Sequence, residues 1–300
     1  MRLISYRHKG EAGVGVMVDD TGFVALNNAA PDLPRSLREI LSWDGWAAWI
    51  EEAVEGKPAD LGIDDVVLEP VIPEPQAIWA LALNFKMHIE ETGLTTSTEH
   101  PQIFLRMPCS QVGHLQNMEC PRGEISGMYD YEGELAVIIG AGGRYIPKQD
   151  ALGKVAGYAC YNEGSVREFQ RHNRQFGLGK NFENSGALGP WMMTADEFGN
   201  PANQTVITRL NGVEKQKSGL DDMLFPVEQV IQYLSTGYSL RPGDVIVMGT
   251  PGALKPGPDY VAGPNESDRI PGRTHMKPGD TVEVEITGLG VLKNPITQSA

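Results

Sequence analysis

Residues 131–140, YEGELAVIIG, are the stretch from which the fold can be worked outward. The apolar run that ends at Gly140 predicts a strand buried on both faces. Because residues i and i+2 of a strand point to the same side, Glu132 and Glu134 would lie side by side at its mouth. Two adjacent buried carboxylates repel each other, so the pair needs either solvent or a cation between them. This stretch alone leaves both alternatives open.

The composition excludes several classes of protein. The 300 residues are 41% hydrophobic and 21% charged, as in a globular chain of one or two domains. A net charge of −14 argues against a nucleic-acid partner, which requires a basic face. An anionic substrate would therefore need a local cluster of metal, Arg or Lys.

The sequence also predicts a cytoplasmic protein without a membrane partner. No apolar run is long enough for a membrane span, and the N-terminus lacks the apolar core of a signal peptide. Three cysteines, Cys109, Cys120 and Cys160, show neither zinc-ligand spacing nor an even disulfide framework. A reducing compartment is the simplest setting for such a chain.

The apolar pattern divides the chain into a small N-terminal domain, residues 1–70, and a larger domain, residues 71–300. Short apolar runs separated by turns predict a small antiparallel sheet at the N-terminus. A capping box at Ser36 predicts one helix, and a second helix carries Trp46 and Trp49, which we expect in the core. The Pro-rich segment PVIPEPQ then predicts a linker.

After the linker, short strands with Gly-rich and Pro-rich turns predict a β-rich domain. One clear helix begins at Pro226 and ends at Gly237. Asp221 and Asp222 precede this helix, and we expect them to cap it. Residues 253–277 are rich in Pro, Gly and charge, which predicts a long surface loop over the pocket.

A third carboxylate follows in GYACYNEGSVREFQ, residues 157–170, where Glu163 comes directly after a predicted strand. Three carboxylates without His or Cys ligands predict a hard cation, Mg²⁺ or Mn²⁺, because these ions prefer oxygen ligands. Such an ion would also remove the repulsion between Glu132 and Glu134.

Seven segments in order resemble the fumarylacetoacetate hydrolase superfamily. They are LNFKMHIEETG (83–93), FLRMP (104–108), YEGELAVIIG (131–140), GYACYNEGSVREFQ (157–170), LGKNFENSGALGP (178–190), LNGVEKQKSGLDDMLF (210–225) and RPGDVIVMGTP (241–251). The resemblance covers most of residues 78–295. It implies an α+β, β-rich fold: a mixed β-sandwich roll with a small N-terminal α+β domain, assembled as a homodimer.

The resemblance also implies a ligand set for one divalent metal ion. Carried over by position, the ligands are Glu132, Glu134 and Glu163. The usual hydrolase pattern has Asp at the third position, whereas related hydratases have Glu there, so the departure weakens transfer of the hydrolase reaction more than it weakens metal binding.

Three catalytic residues are implied by the same resemblance. His88 and Glu91 match a His–Glu pair on a lid, and their i, i+3 spacing puts both on one face of a helical turn. Without the resemblance, His88 would be read as a surface histidine in a charged helix. Lys180 matches a lysine near the metal and the substrate. The histidines without ligand spacing, which we expect to be non-catalytic, are His100, His114, His172 and His275.

Four residues match positions that contact the substrate. Arg167 and Gln170 follow the third metal ligand, and Thr250 lies at a strand end in the tripeptide GTP. Arg106 replaces the Lys of an F-x-K-P pattern, and its forked guanidinium suits a carboxylate. The sequence contains no phosphate-binding loop that would make GTP a nucleotide motif.

Together these residues imply a metal-dependent hydrolase that cleaves a C–C bond in a 1,3-diketo or acylpyruvate-type 2-oxo acid, in the breakdown of aromatic or sugar-acid compounds. The partner would be a small anionic 2-oxo acid held by Mg²⁺ or Mn²⁺. Decarboxylation of an oxaloacetate-like acid, hydration or isomerisation of an unsaturated 2-oxo acid, and metal–dicarboxylate binding without turnover stay open as alternatives.

Overall fold

The computed structural model describes residues 1–92, 99–254 and 274–300, with the side chains of residues 90–92 outside that description. The strands are β1 (Arg2–His8), β2 (Glu11–Met17), β3 (Gly22–Ala25), β4 (Leu61–Gly62), β5 (Val67–Leu68), β6 (Ile78–Ala82), β7 (Gln102–Arg106), β8 (Gln111–Val112), β9 (Met118–Cys120), β10 (Tyr129–Asp130), β11 (Gly133–Ile139), β12 (Val155–Asn162), β13 (Ser165–Val166), β14 (Gly186–Thr194), β15 (Thr205–Leu210), β16 (Val213–Gly219), β17 (Val245–Val247), β18 (Thr281–Ile286) and β19 (Gly290–Gln298). The helices are α1 (Leu26–Ala29), α2 (Leu37–Leu41), α3 (Trp46–Val54), α4 (Lys86–Thr92), α5 (Lys148–Ala151), α6 (Arg167–Gln170), α7 (Ala195–Phe198) and α8 (Val227–Gly237).

Two mixed sheets form the body of the protein. Within the described residues, the larger sheet has the strand order β4-β3-β2-β1-β14-β12-β11-β17-β6-β7, with β5 on β1 and β8 on β14. The smaller sheet has the order β16-β15-β18-β19-β9. The predicted β-rich α+β class is confirmed.

Strand β11 is buried along its whole length, as the apolar run predicts. Leu135 and Val137 pack in the core that the two sheets share, together with Val284 of β18. Ala136 and Ile138, on the opposite face, pack in a second core beneath the N-terminal helices. The alternation of period two therefore places β11 between two apolar layers, and only its first residues reach the functional site.

The N-terminal strands belong to the larger sheet. Strand β1 pairs antiparallel with β14, with Arg2 opposite Met193 and Leu3 opposite Met192. The predicted boundary near residue 70 is therefore crossed by a β-ladder, and the division into residues 1–70 and 71–300 stays a prediction. Trp49 is 57% exposed, contrary to the expectation of a core position, because the adjacent Ile50 takes the buried face of α3.

Helix α8 has the predicted bounds, but its predicted cap is wrong. Pro226 is its N-cap residue and makes no side-chain cap hydrogen bond. Instead, Asp222 Oδ2 accepts a hydrogen bond of 3.1 Å from the backbone N–H of Met87, near the start of α4. The short turn that contains Asp222 therefore supports the helix that carries His88.

None of the helices in the described ranges combines the length and apolar character needed to cross a lipid bilayer.

Candidate active site

The ladder between β11 and β12 brings the three predicted metal ligands together. Gly133 pairs with Asn162, so the residues just beyond this pair, Glu132 and Glu163, lie opposite each other. The backbone N–H of Glu163 donates to the carbonyl oxygen of Glu132 at 2.8 Å. Glu134 is the next residue along β11. One carboxylate oxygen from each glutamate lies within 4.8 Å of the others, and all three residues are buried.

Close packing requires glycine on both sides of this cluster. A Cβ atom on Gly133 would lie 2.0 Å from Thr208 Oγ1 of the facing sheet. A Cβ atom on Gly164 would lie 1.6 Å from the carbonyl oxygen of Ser185. The sequences EGE and EG therefore let two carboxylate-bearing segments pass against the Thr208 side chain and the Ser185 backbone without a steric clash.

Two cationic side chains hold the carboxylates in place. Lys180, in a 3₁₀ turn (Leu178–Lys180), donates from Nζ to Glu132 Oε2 and, at 2.6 Å, to Glu163 Oε2. Arg167 donates from Nη2 to Glu132 Oε1 at 2.5 Å and from Nε to Asp130 Oδ2 at 2.8 Å. These charge-assisted hydrogen bonds fix the positions of Glu132 and Glu163.

Gly249 and Thr250 fix the remaining side of the site. Gly249 adopts a φ of +87°, which favours glycine, and its N–H donates to Glu134 Oε2 at 2.6 Å. The hydroxyl of Thr250 donates to the carbonyl oxygen of Gly133 at 3.1 Å and accepts from Gln216 Nε2 at 2.9 Å. The segment after β17 is therefore tied to the start of β11.

Burial and neighbouring charges shift the pKa values of the groups in this cluster. Burial, followed by repulsion from Glu163 and Glu132, raises the pKa of Glu134 well above its usual range. Burial also raises the pKa of Glu163, although Lys180 and Arg106 act in the opposite direction. Burial disfavours the charge on Arg167, but Glu132 and Asp130 outweigh it and raise the pKa of Arg167.

The donor set fits a divalent cation. It consists of oxygen atoms alone, as Mg²⁺ and Mn²⁺ prefer. Glu163 Oε1 is buried and makes no hydrogen bond to the described part of the chain, so one ligand atom is available. Glu132, Glu134 and Glu163 are the residues that would hold the ion.

Arg106 lies behind Glu163. Its side chain is fully buried, and Nη1 is 3.7 Å from Glu163 Oε1. The guanidinium also donates to the carbonyl oxygen of Gly164 and to the hydroxyls of Ser110 and Ser185, each at 3.2 Å. Because these protein groups already contact its guanidinium, Arg106 is placed to orient Glu163, and its contact with a substrate stays a prediction.

A cavity of about 620 Å³ opens above the carboxylate cluster. The predicted site residues that line it are His88, Glu132, Glu134, Glu163, Arg167, Gln170, Lys180 and Thr250. Glu91 lies in α4 with its side chain outside the described residues, and most of the predicted loop 253–277 is also outside them. The roles assigned to all these residues stay predictions.

Several cavity residues were missed from the sequence. Asp130, fully buried, anchors Arg167. Arg171 and Arg174 line the wall, and so do His172 and His275, which lack ligand spacing in the sequence. The sequence signal for the two arginines is the run RHNR directly after Gln170. It concentrates positive charge beside a predicted site residue in an acidic chain.

Comparisons with known proteins establish the family. Residues 77–297 match the family described as fumarylacetoacetate (FAA) hydrolase, C-terminal. This match covers most of the sequence and accompanies the fold and the buried carboxylate cluster described above. The chain belongs to the fumarylacetoacetate hydrolase family.

Individual relatives carry different activities in their names. The chain is 31% identical to oxaloacetate tautomerase YisK of Bacillus subtilis (strain 168), covering 94% of this chain and 95% of the relative. It is 28% identical to 2,4-didehydro-3-deoxy-L-rhamnonate hydrolase of Sphingomonas sp. (strain SKA58), covering 99% and 96%. The structure of a fumarylacetoacetate hydrolase from Exiguobacterium antarcticum matches with a TM-score of 0.78 at 27% identity, covering all of both chains.

Proposed function

We propose that this protein catalyses keto–enol tautomerisation of a small dicarboxylic 2-oxo acid such as oxaloacetate, with Mg²⁺ or Mn²⁺ held by Glu132, Glu134 and Glu163. The observation that carries the proposal is the buried ammonium of Lys180, which lines the cavity and contacts two of the three carboxylates. The similarity to an oxaloacetate tautomerase along nearly the whole chain supports it.

The chemistry needs one group that can exchange protons beside the bound acid. When bound, the divalent cation supplies Lewis acidity that stabilises negative charge on the 2-oxo oxygen. In the enol-to-keto direction, Lys180 Nζ delivers a proton to C3, and the proton released from the enol hydroxyl restores the ammonium. Glu132 and Glu163 hold Nζ in position for both transfers.

Hydrolysis of a C–C bond in an acylpyruvate-type acid is the second candidate, as the sequence predicts. The presence of His88 on the cavity wall favours it, because hydrolysis requires a base that activates water. Tautomerisation consumes no water, so the two candidates differ in their dependence on His88.

The first experiment compares both reactions in one preparation. The protein is stripped of metal with a chelator and reloaded with Mg²⁺ or Mn²⁺. Decay of enol-oxaloacetate is followed by ultraviolet absorbance against a metal-only control, and acetylpyruvate is followed by proton NMR. Enol decay above the control supports the tautomerase, acetate with pyruvate supports the hydrolase, and pyruvate from oxaloacetate indicates decarboxylation.

Two variants separate the mechanisms. The substitution Lys180→Met should lower the tautomerase rate by about a hundredfold or more, whereas His88→Asn should leave it within about threefold. If His88→Asn abolishes turnover and Lys180→Met does not, the proposed tautomerase mechanism is wrong and the hydrolase is favoured.

A further inference from the structure

The segment after α6 forms a cationic wall of the cavity. Residues 171–174, with the sequence RHNR, are all exposed and all line the cavity above the carboxylate cluster. The chain as a whole carries a net charge of −14, so two arginines at the mouth of an acidic site are opposite in sign to their surroundings.

The cations deeper in the cavity are already engaged by the protein. Arg167 contacts Asp130 and Glu132, and it also donates from Nη1 to Gln170 Oε1 at 2.7 Å. Lys180 is shared between Glu132 and Glu163. Both cationic side chains are therefore already paired with carboxylates of the protein.

Arg171 and Arg174 differ from these two cations. Across residues 1–92, 99–254 and 274–300, neither guanidinium makes a hydrogen bond or an ion pair through its side chain. Arginine stays charged at any ordinary pH, and its planar fork matches the two oxygens of a carboxylate. Two unengaged guanidiniums therefore face the space that a ligand would occupy.

The formal charges show which part of a ligand these arginines would meet. Four buried carboxylates, including Asp130, surround the site, and they are faced by Arg106, Arg167 and Lys180. With a divalent cation present, these four carboxylates and three cationic side chains leave one formal positive charge at the bottom of the cavity. One carboxylate of the ligand would neutralise that charge. A second carboxylate on the ligand would have to be neutralised elsewhere.

The wall is fixed relative to the carboxylate cluster although its side chains are exposed. At its start, Arg167 is held by Asp130 and Glu132. At its end, the ring of Phe176 packs edge-on against Phe104 with centroids 5.6 Å apart. A Cβ atom on Gly179 would lie 2.2 Å from the backbone nitrogen of Gln170, so the two ends of the segment are in tight contact.

We propose that Arg171 and Arg174 bind the distal carboxylate of a dianionic 2-oxo acid and select dicarboxylates over monocarboxylates. The inference rests on the proposed function, which supplies the substrate class, a dicarboxylic 2-oxo acid. It adds the protein groups that recognise the end of the substrate away from the reacting carbons.

The experiment measures binding of two non-reacting acids that differ only at the distal end. Malate and lactate share a 2-hydroxy acid head, and malate alone has a second carboxylate. Each is titrated calorimetrically into the Mn²⁺-loaded full-length protein. The wild type should bind malate at least about tenfold more tightly than lactate, and R171Q/R174Q should lose that preference with lactate binding unchanged.

The matched control is R122Q/R144Q. It removes the same formal charge from two exposed arginines that do not line the cavity. Its malate affinity should stay within about twofold of the wild-type value, since exposed charges far from the ligand are screened by salt. An equal loss in both double variants would mean that net charge alone is responsible, and the distal subsite would be wrong.

The remaining outcomes are decisive as well. If the wild type does not prefer malate, or if R171Q/R174Q keeps the preference, Arg171 and Arg174 do not bind the distal carboxylate. These results are independent of the tautomerase assay. Enol turnover without malate preference would overturn the subsite alone, and malate preference without enol turnover would overturn the proposed reaction alone.

Discussion

Glu134 provides the sharpest single-residue test of the cation site. It is 1% exposed, and its Oε2 atom accepts from the Gly249 N–H. The substitution Glu134→Gln keeps the size of the side chain and removes its charge. We expect Mn²⁺ affinity, measured by calorimetry, to fall by more than about a hundredfold. Losing a direct metal ligand should weaken binding more than losing a residue that only hydrogen-bonds to a ligand.

The control for this measurement is Glu283→Gln on β18. Glu283 is paired with Lys293 at 3.0 Å and is not part of the carboxylate cluster. This variant should bind Mn²⁺ as the wild type does. Unchanged affinity in Glu134→Gln would show that Glu134 is not a ligand.

Arg106 tests how the cluster is supported from behind. Replacing it with Met removes the donors to Ser110, Ser185 and the Gly164 carbonyl oxygen and leaves Glu163 with one cation fewer. Removing one partner of a buried ion pair costs about 3 kcal/mol, so we expect the free energy of unfolding in urea to fall by about that amount with chelator present.

Arg122→Met is the matched control, since Arg122 forms an exposed ion pair with Glu124. Exposed pairs contribute less than about 1 kcal/mol, so this variant should remain near wild-type stability. Equal stability of the two variants would contradict the supporting role of Arg106.

At the scale of single residues, the sequence predicted those positions that follow from strand register. The apolar run fixed β11, and Glu132 and Glu134 follow from it by period two. Arg106 matches a substrate-contacting position by resemblance, but its burial could not be predicted, because that burial depends on packing between segments far apart in the chain. Arg171 and Arg174 were missed because the direction of a loop side chain depends on the local turn and has no sequence period.

Among the helices, α4 depends on a neighbouring segment for its start. Asp222 accepts from the Met87 N–H, and the backbone N–H of Leu224 donates to the carbonyl oxygen of Asn84 at 2.8 Å. An N-terminal cap contributes about 1 kcal/mol to a helix, so Asp222→Ala should open α4 more often. We expect hydrogen–deuterium exchange of the peptide containing Ile89 to accelerate about fivefold, measured by mass spectrometry.

Asp221→Ala is the neighbouring control, because Asp221 is exposed and does not contact α4 through a hydrogen bond in the described structure. Exchange in α4 should be unchanged in this variant. If Asp222→Ala accelerates exchange in α8 and not in α4, the cap belongs to α8, as the sequence pattern alone suggested. The sequence pattern assigns Asp222 to α8 because α8 follows it directly along the chain. In the structure Asp222 accepts a hydrogen bond from α4, which is close to it only in space.

For the whole molecule, the pairing of β1 with β14 predicts that the N-terminal region does not unfold on its own. Leu3 packs in the same core as Leu188 and Met192, so separating residues 1–70 would expose a strand edge and shared apolar surface. The sequence showed the N-terminal sheet but not this ladder, because the pairing joins residues almost two hundred positions apart.

The five tryptophans allow this cooperativity to be measured. Trp43, Trp46 and Trp49 lie in the N-terminal region, and Trp79 and Trp191 lie outside it. The variant W79F/W191F keeps only the tryptophans of the N-terminal region, and W43F/W46F/W49F keeps only the two outside it. We expect the urea unfolding midpoints measured by fluorescence of these two variants to coincide. Far-ultraviolet circular dichroism of each variant corrects for any change in its overall stability. A lower midpoint for W79F/W191F, relative to its own dichroism, would instead support residues 1–70 as an independent domain.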